Sequence, residues 1–260
     1  MSASLYPIPK SVDATDFMFS TSPESQLVDE GNFIAEAQGT WSVSSRKRLF
    51  DVAVAGTVIV PMLPILAAIA VVVKCSSDGP VLFRQQRTGR GQVPFTIYKY
   101  RTMRLLAEKE GPSVTRKGDG RMTRVGLWLR KLKLDELPQL YNVIRGDMSL
   151  VGPRPKAIGH ERMEMVCRPG ITGVATLLFA REEDLLMEVP EEEVEGFAIN
   201  VLNPIKAQLD AQYAEEGNFF TDIALLAKTA LRLGRKKAVK TLPELTTVYG
   251  YPVVPRNQSN

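Results

Sequence analysis

Residues 46–73 read RKRLFDVAVAGTVIVPMLPILAAIAVVV, and their reading decides the fold. From Val52 to Val73 there are 22 residues without a charge. A straight helix of that length reaches about 33 Å, enough to cross the hydrocarbon core of a bilayer. The soluble alternative is a helix buried in a protein core. Two prolines, Pro61 and Pro64, fall mid-run. Each removes a backbone donor and crowds the preceding turn, at about 3 kcal/mol to a helix that does not bend there. Membrane helices tolerate such bends where neighbouring groups satisfy the freed carbonyls. Bases flank the run on both sides, with Arg46, Lys47 and Arg48 before it and Lys74, Arg84, Arg87 and Arg90 after it. Basic residues prefer the cytoplasmic side. A helix that enters, turns at the prolines and leaves on the same face satisfies both flanks.

Downstream, Leu127–Pro155 reads LWLRKLKLDELPQLYNVIRGDMSLVGPRP. Asp135 and Glu136 stand side by side after Arg130, Lys131 and Lys133. Leu137, Leu140, Tyr141 and Ile144 follow at helical spacing. Pro138 is tolerated only in a first turn, so this helix is expected to start at about Asp135 and to stop at Gly146. That start would place the acid pair at free N–H groups and the positive end of the helix dipole, where a carboxylate stays ionised and phosphate can bind. The plain alternative is an N-cap. Beyond the helix, Arg154 stands between Pro153 and Pro155 in a stretch dense in turn formers. An arginine on a stiff loop suits bidentate recognition of phosphate or carboxylate.

DELPQLYNVIRGDMSLVGPRP resembles the signature of the bacterial sugar transferases, the monotopic phosphoglycosyl transferases. Lys47–Asp51 is similar to that family's opening motif. Gly79–Gln85, Gly89 and Lys99–Met103 are similar to its middle motifs, and Arg168–Gly173 to a later one. The motifs keep the family's order over residues 46–235. The resemblance implies a re-entrant membrane helix marked by Lys47, Arg48, Asp51, Pro61 and Pro64. The family's Ser-Pro at the bend is Leu63-Pro64 here. It further implies that Asp135 attacks the sugar-linked phosphate of a UDP-sugar, releasing UMP and forming an aspartyl phospho-sugar. Polyprenyl phosphate, such as undecaprenyl phosphate, then accepts the phospho-sugar. Glu136 would help to hold Mg²⁺, Arg130 would clamp phosphate, and Pro153, Arg154 and Pro155 would line the nucleotide site. Lys99 and Arg101 are assigned to substrate binding in the same way. Arg181 stands near the place of a further phosphate-contacting arginine. The family's Trp and Gly-Arg pair after Gly173 are absent, which leaves the donor sugar open.

The composition fits one good core with an appended segment: 260 residues, 44% hydrophobic and 24% charged. The net charge of +4 is uneven, because residues 1–45 carry six acids (Asp13, Asp16, Glu24, Asp29, Glu30, Glu36) against the one base Lys10. A basic body behind an acidic arm suits anionic partners such as lipid headgroups and nucleotides. The bases are not interleaved with aromatics, so no nucleic-acid partner is expected. Cys75 and Cys167 are too few for a disulfide framework, and His160, the sole histidine, has no cluster around it for zinc. The first residues lack a basic region followed by an apolar run, so no signal peptide is expected.

Between the motifs, Ser76–Tyr100 reads as a small hairpin with a Gly-rich turn at Thr88–Gln92. Leu105–Asp119 reads as a loop and Ile158–Val166 as a short helix. Glu182–Glu195 carries eight acids and reads as a solvated helical face. Pro204–Tyr213 and Phe219–Leu233 read as helices, the second with a broad apolar face suited to the core or to a membrane interface. The expected organisation is a flexible acidic arm over 1–45, with a docked segment at Phe17–Phe19 allowed, and a re-entrant helix over 46–75. A catalytic domain over 76–240 and a tail over 241–260 follow. The fold class is α+β and mostly helical: a membrane-associated helix-break-helix on a small cytoplasmic catalytic domain with a short hairpin and interfacial amphipathic helices. The expected enzyme lies on the cytoplasmic face of a bacterial inner membrane and serves exopolysaccharide or glycoconjugate synthesis, with a homodimer left open. The alternative is a non-catalytic membrane-surface scaffold of a glycan assembly complex, which needs no acid pair.

Overall fold

The structure, a computed structural model, describes residues 40–105, 119–158 and 165–231. Helix α1, Ser45–Ser76, is 32 residues long and holds Pro61 and Pro64 inside it. Ser44 caps it, its hydroxyl accepting from the Lys47 amide at 3.1 Å. Where two helical halves are expected, the helix runs unbroken, because a proline removes one hydrogen bond and leaves its neighbours in place. Thr57, one turn before Pro61, donates its hydroxyl to the Ala53 carbonyl at 2.8 Å, the i−4 bond open to a threonine in a helix. Lys47, Asp51, Ala55 and Val73 are buried, whereas Val58, Val60, Leu63 and Ile65 are exposed. The two ends of α1 therefore rest on the protein body and the proline-containing middle does not. The start is held by Arg48, whose guanidinium donates to the Val143 and Ile144 carbonyls, the latter at 2.8 Å. Towards the end, the Tyr100 hydroxyl donates to the Leu66 carbonyl at 2.7 Å, and Val73 packs with Tyr100 and Leu129.

The expected hairpin is present. Strands β1 (Leu82–Thr88) and β2 (Pro94–Tyr100) pair antiparallel, Leu82 opposite Tyr100 and Thr88 opposite Pro94. The turn between them places Gly91 and Gln92 in the left-handed region at φ 62° and 61°. Helix α2, Arg124–Leu132, opens on Thr123, whose hydroxyl accepts from the Gly126 amide at 2.8 Å. Gly126 is required by close approach, since a Cβ there would lie 1.9 Å from the Thr102 carbonyl oxygen. The next helix, α3, covers Gln139–Arg145 and is four residues shorter at its start than expected. Pro138 takes the cap position, so Asp135 and Glu136 lie in the turn before the helix. Gly146 ends it in the left-handed region, φ 103°, as expected. Asn142 ties α3 to the hairpin, donating to the Thr96 carbonyl at 2.8 Å and accepting from the Tyr98 amide at 3.2 Å.

Strands β3 (Ser149–Val151) and β4 (Gly170–Thr172) pair in parallel. Gly152 and Gly170 let the two backbones meet, because a Cβ on Gly170 would lie 2.2 Å from the Gly152 nitrogen. This contact seats Pro153-Arg154-Pro155 directly after β3. The chain continues through α4 (Val174–Leu178), α5 (Glu182–Leu185), α6 (Val194–Phe197), a π-type turn at Ala198–Leu202, α7 (Asn203–Glu216) and α8 (Phe219–Ala230). The described acids of Glu182–Glu195 lie at the surface, as expected of a solvated face, but on short helical turns rather than one helix. Leu185, Leu186, Val189 and Val194 between them, and Phe197 just beyond, are buried in the core. Helix α8 has two apolar faces: Leu225 is fully buried and Phe220 is 78% exposed. Within the stretch assigned to the arm, Thr40 and Ser42 donate to the Ala214 carbonyl at 3.0 and 2.7 Å. Phe17–Phe19, the tail, residues 106–118 of the expected loop and residues 159–164 of the expected short helix lie outside the described residues.

Candidate active site

The acid pair is placed by the hairpin. The Tyr100 amide at the end of β2 donates to the Asp135 carbonyl at 2.9 Å, and the Gln139 amide closes the turn on the Glu136 carbonyl at 2.9 Å. Both acids are buried, Asp135 at 7% exposure and Glu136 at 9%. Glu136 Oε1 accepts from Arg154 Nη2 at 2.9 Å and from Lys99 Nζ at 3.3 Å. Arg154 arrives from the stiff loop and Lys99 from β2, so the loop and strand named by the sequence converge on one carboxylate. Burial opposes ionisation of Glu136, yet Arg154, Lys99 and Lys133 together hold it well below the usual carboxylate range. Asp135 is shifted the other way. Burial and the charge of Glu136 raise it, against the pull of Lys99, Lys133 and Arg130. Among the described residues Asp135 Oδ1 is buried without a hydrogen-bond partner. Burial pushes Lys99 down to about 8, with Glu136 opposing and Arg154 adding to the shift.

A small cleft opens beside the pair, lined by Arg87, Lys99, Glu136, Gln139, Arg154 and Pro155. Three cations around one cleft suit a phosphate-bearing ligand. Gln139 and Arg87 were not singled out in the sequence as cleft residues. No spacing marks a glutamine at the first position of a helix, and Arg87 reads as one base among several on a strand.

Other expected site residues lie elsewhere. Arg101 is buried and donates to the Ser77 carbonyl and hydroxyl at 2.6 and 2.9 Å, at the end of α1. Lys99, two residues before it, reaches the cleft, whereas Arg101 reaches the end of α1. Arg130 lies 3.5 Å from Glu183 and acts on Asp135 through its charge. Arg181 pairs with Asp184 at 2.7 Å. Pro153 is buried under the loop.

The residues expected at the membrane are divided. Pro61 and Pro64 lie in the part of α1 that stands away from the body. Lys47 and Asp51 face inward. Lys47 Nζ lies 2.6 Å from Asp51 Oδ1 and 2.8 Å from Asp222 Oδ2. Asp51 accepts from the Ser149 hydroxyl at 2.7 Å and from the Leu150 amide at 3.2 Å. Asp222 accepts from Trp41 Nε1 at 2.9 Å and from the Tyr213 hydroxyl at 2.7 Å. This cluster ties the start of α1 to α8 and to the strand that leads into the Pro-Arg-Pro loop.

A buried acid pair beside a cleft walled by cations, on a body that carries the long apolar helix α1, suits an anionic ligand. The chain belongs to the bacterial sugar transferase family, whose model matches residues 42–236. A relative from Caulobacter vibrioides, named UDP-glucose:undecaprenyl-phosphate glucose-1-phosphate transferase, is 36% identical over 200 residues, covering 72% of this chain and 69% of that one. A protein of the same name from Escherichia coli is 34% identical, over 72% of this chain and 39% of that one. One from Aeromonas hydrophila, named UDP-N-acetylgalactosamine-undecaprenyl-phosphate N-acetylgalactosaminephosphotransferase, is 36% identical, over 70% of this chain and 42% of that one. The chain thus spans less than half the length of the last two.

Proposed function

We propose that the protein transfers a sugar 1-phosphate from a UDP-sugar to a polyprenyl phosphate, undecaprenyl phosphate by analogy with its relatives, at the cytoplasmic face of a bacterial inner membrane. The observation that carries this reading is the contrast within the acid pair. Glu136 is held by two cations, while Asp135 keeps a buried oxygen without a partner and a raised proton affinity. A carboxylate in that state is a better nucleophile than an exposed one, provided neighbouring cations offset the charge of the incoming phosphate. Asp135 attacks the β-phosphorus of the UDP-sugar. The bond from that phosphorus to the bridging oxygen breaks, UMP leaves with the electron pair, and the phospho-sugar remains on the carboxylate. An oxygen of polyprenyl phosphate then attacks the same phosphorus and the aspartyl oxygen leaves, which regenerates Asp135. Lys99, Arg154 and Arg87 gather the phosphate oxygens. The donor set fits Mg²⁺, because the partnerless Asp135 oxygen lies next to Glu136 and a hard cation takes one or two carboxylates beside phosphate and water. Glu136 would be its main protein ligand, and the ion would supply charge neutralisation at the phosphates.

The re-entrant reading of α1 belongs to the same proposal. Both of its ends rest on one body while its apolar middle is exposed, which favours having both ends on one side of the membrane. Purified protein incubated with a panel of UDP-sugars is expected to release UMP and to give lipid-linked product when polyprenyl phosphate is added. Absence of UMP release across the panel would overturn the reaction. For the topology, Ser45→Cys and Ser76→Cys are placed singly in a background lacking Cys75 and Cys167. Both are expected to be shielded from an impermeant thiol reagent in intact cells and to label after lysis. Labelling of the Ser45 variant from outside would establish a spanning helix instead.

A further inference from the structure

We infer that Gln139 is a substrate-contacting residue, its side-chain amide donating to a non-bridging oxygen of the donor's diphosphate in the cleft beside Glu136. The inference rests on the reaction proposed above and adds a ligand to its site. Gln139 is only 3% exposed, and its side chain lines the cleft together with Lys99, Arg154 and Arg87. Its Nε2 is buried with no hydrogen-bond partner among the described residues. A buried amide donor without an acceptor is unfavourable for the free protein, and native folds retain such groups at few places. Here the residue that carries the unmet donor lines a cleft walled by cations, which suits an anionic, oxygen-rich group. The backbone of Gln139 already has a task, closing the turn on the Glu136 carbonyl at 2.9 Å. The side chain is not needed for that bond. Gln139 lines the cleft and Asp135 does not, yet each carries one unused polar atom, the first a donor and the second an acceptor.

A structural glutamine and a substrate-binding one predict opposite outcomes on removal of the amide. Gln139→Met keeps the length and apolar stem of the side chain and deletes the orphaned donor. Gln139→Glu keeps an acceptor and adds a charge that repels phosphate. Two measurements on the full-length protein in detergent or nanodiscs decide the matter. The first is the single-turnover rate of the trapped phospho-sugar adduct from a saturating UDP-sugar, read beside the melting temperature. Gln139→Met is expected to form adduct about 10- to 100-fold more slowly while melting at or above the wild-type temperature. Gln139→Glu is expected to lose at least as much rate. The second measurement is the affinity for inorganic pyrophosphate, expected to weaken several-fold in both variants. If the wild type forms no adduct, the proposed reaction falls and the pyrophosphate affinities alone test Gln139. Wild-type affinity in Gln139→Met, a wild-type adduct rate in either variant, or a fall in melting temperature that tracks the loss of rate would overturn the inference.

Discussion

The buried charge clusters around Lys47 and around Asp135 are built on opposite plans. Around Lys47 every charge is answered. The lysine meets Asp51 and Asp222, and those carboxylates also accept from Ser149, Leu150, Trp41 and Tyr213. Around Asp135 the network is left open, with one oxygen of Asp135 and the amide nitrogen of Gln139 unmet. Desolvating polar groups is repaid in the first cluster by the protein itself. In the second the described residues supply no such partner, and the proposed substrate would. The closed cluster joins elements of the fold, and the open one lies beside the cleft.

The contrast is broken most sharply at its extremes. Asp135→Asn is expected to lower UMP release and adduct formation by at least about 10³-fold, because the amide cannot act as the nucleophile. Its melting temperature is expected to hold or rise, since a poorly served buried charge is removed. Lys47→Met, by contrast, leaves Asp51 and Asp222 facing each other without their cation. Loss of one partner from a buried ionic cluster destabilises by about 3–5 kcal/mol, to be read from chemical denaturation. Activity in Lys47→Met is expected to fall only as far as folding does. An intact Lys47→Met protein would show that the closed cluster does not hold the fold.

Glu136→Gln separates charge from shape at the centre of the open cluster. Arg154 and Lys99 lose their anion, and activity is expected to fall by about 10- to 100-fold together with its response to Mg²⁺ titration. An unchanged Mg²⁺ response would remove Glu136 as a metal ligand. The smallest effect is expected at Asp210 on α7, whose carboxyl burial raises to about 6 against the opposing pull of Lys156, Lys206 and Arg154. Because the folded value lies above the ordinary one of 3.8, this group favours folding fully below about pH 4. That contribution is lost as pH rises through about 6. Asp210→Asn is therefore expected to raise the melting temperature by a few degrees at pH 7.5, with the difference vanishing near pH 4. A lower melting temperature at pH 7.5 would show that the three cations outweigh the burial.

Local patterns identified the hairpin, the helices at Asn203–Glu216 and Phe219–Ala230, and the Gly146 stop, because turn residues and apolar periodicity act between near neighbours. The same local logic misplaced the start of the helix after the acid pair. Pro138 was allowed in the first turn but in fact ends the preceding turn and caps the helix, leaving the acids outside it. It placed the acids from Glu182 on a solvated face but did not mark the intervening Leu185, Leu186 and Val189 as core. Dense charge hid a buried set of apolar residues that only a neighbouring helix could reveal.

By itself, then, the sequence determined what depends on chain order: a long uncharged run with bases at both flanks, an adjacent pair of acids, and an arginine held between prolines. The tertiary structure decided which charges meet. Arg154 and Lys99, 18 and 37 residues from Glu136, share one of its oxygens. Lys47 turns inward to bridge Asp51 and Asp222, Arg101 turns to Ser77, and Gln139, on the wall of the cleft, is left with a donor unmet. Electrostatic and hydrogen-bond energies depend on distance and burial in space, which no spacing along the chain encodes.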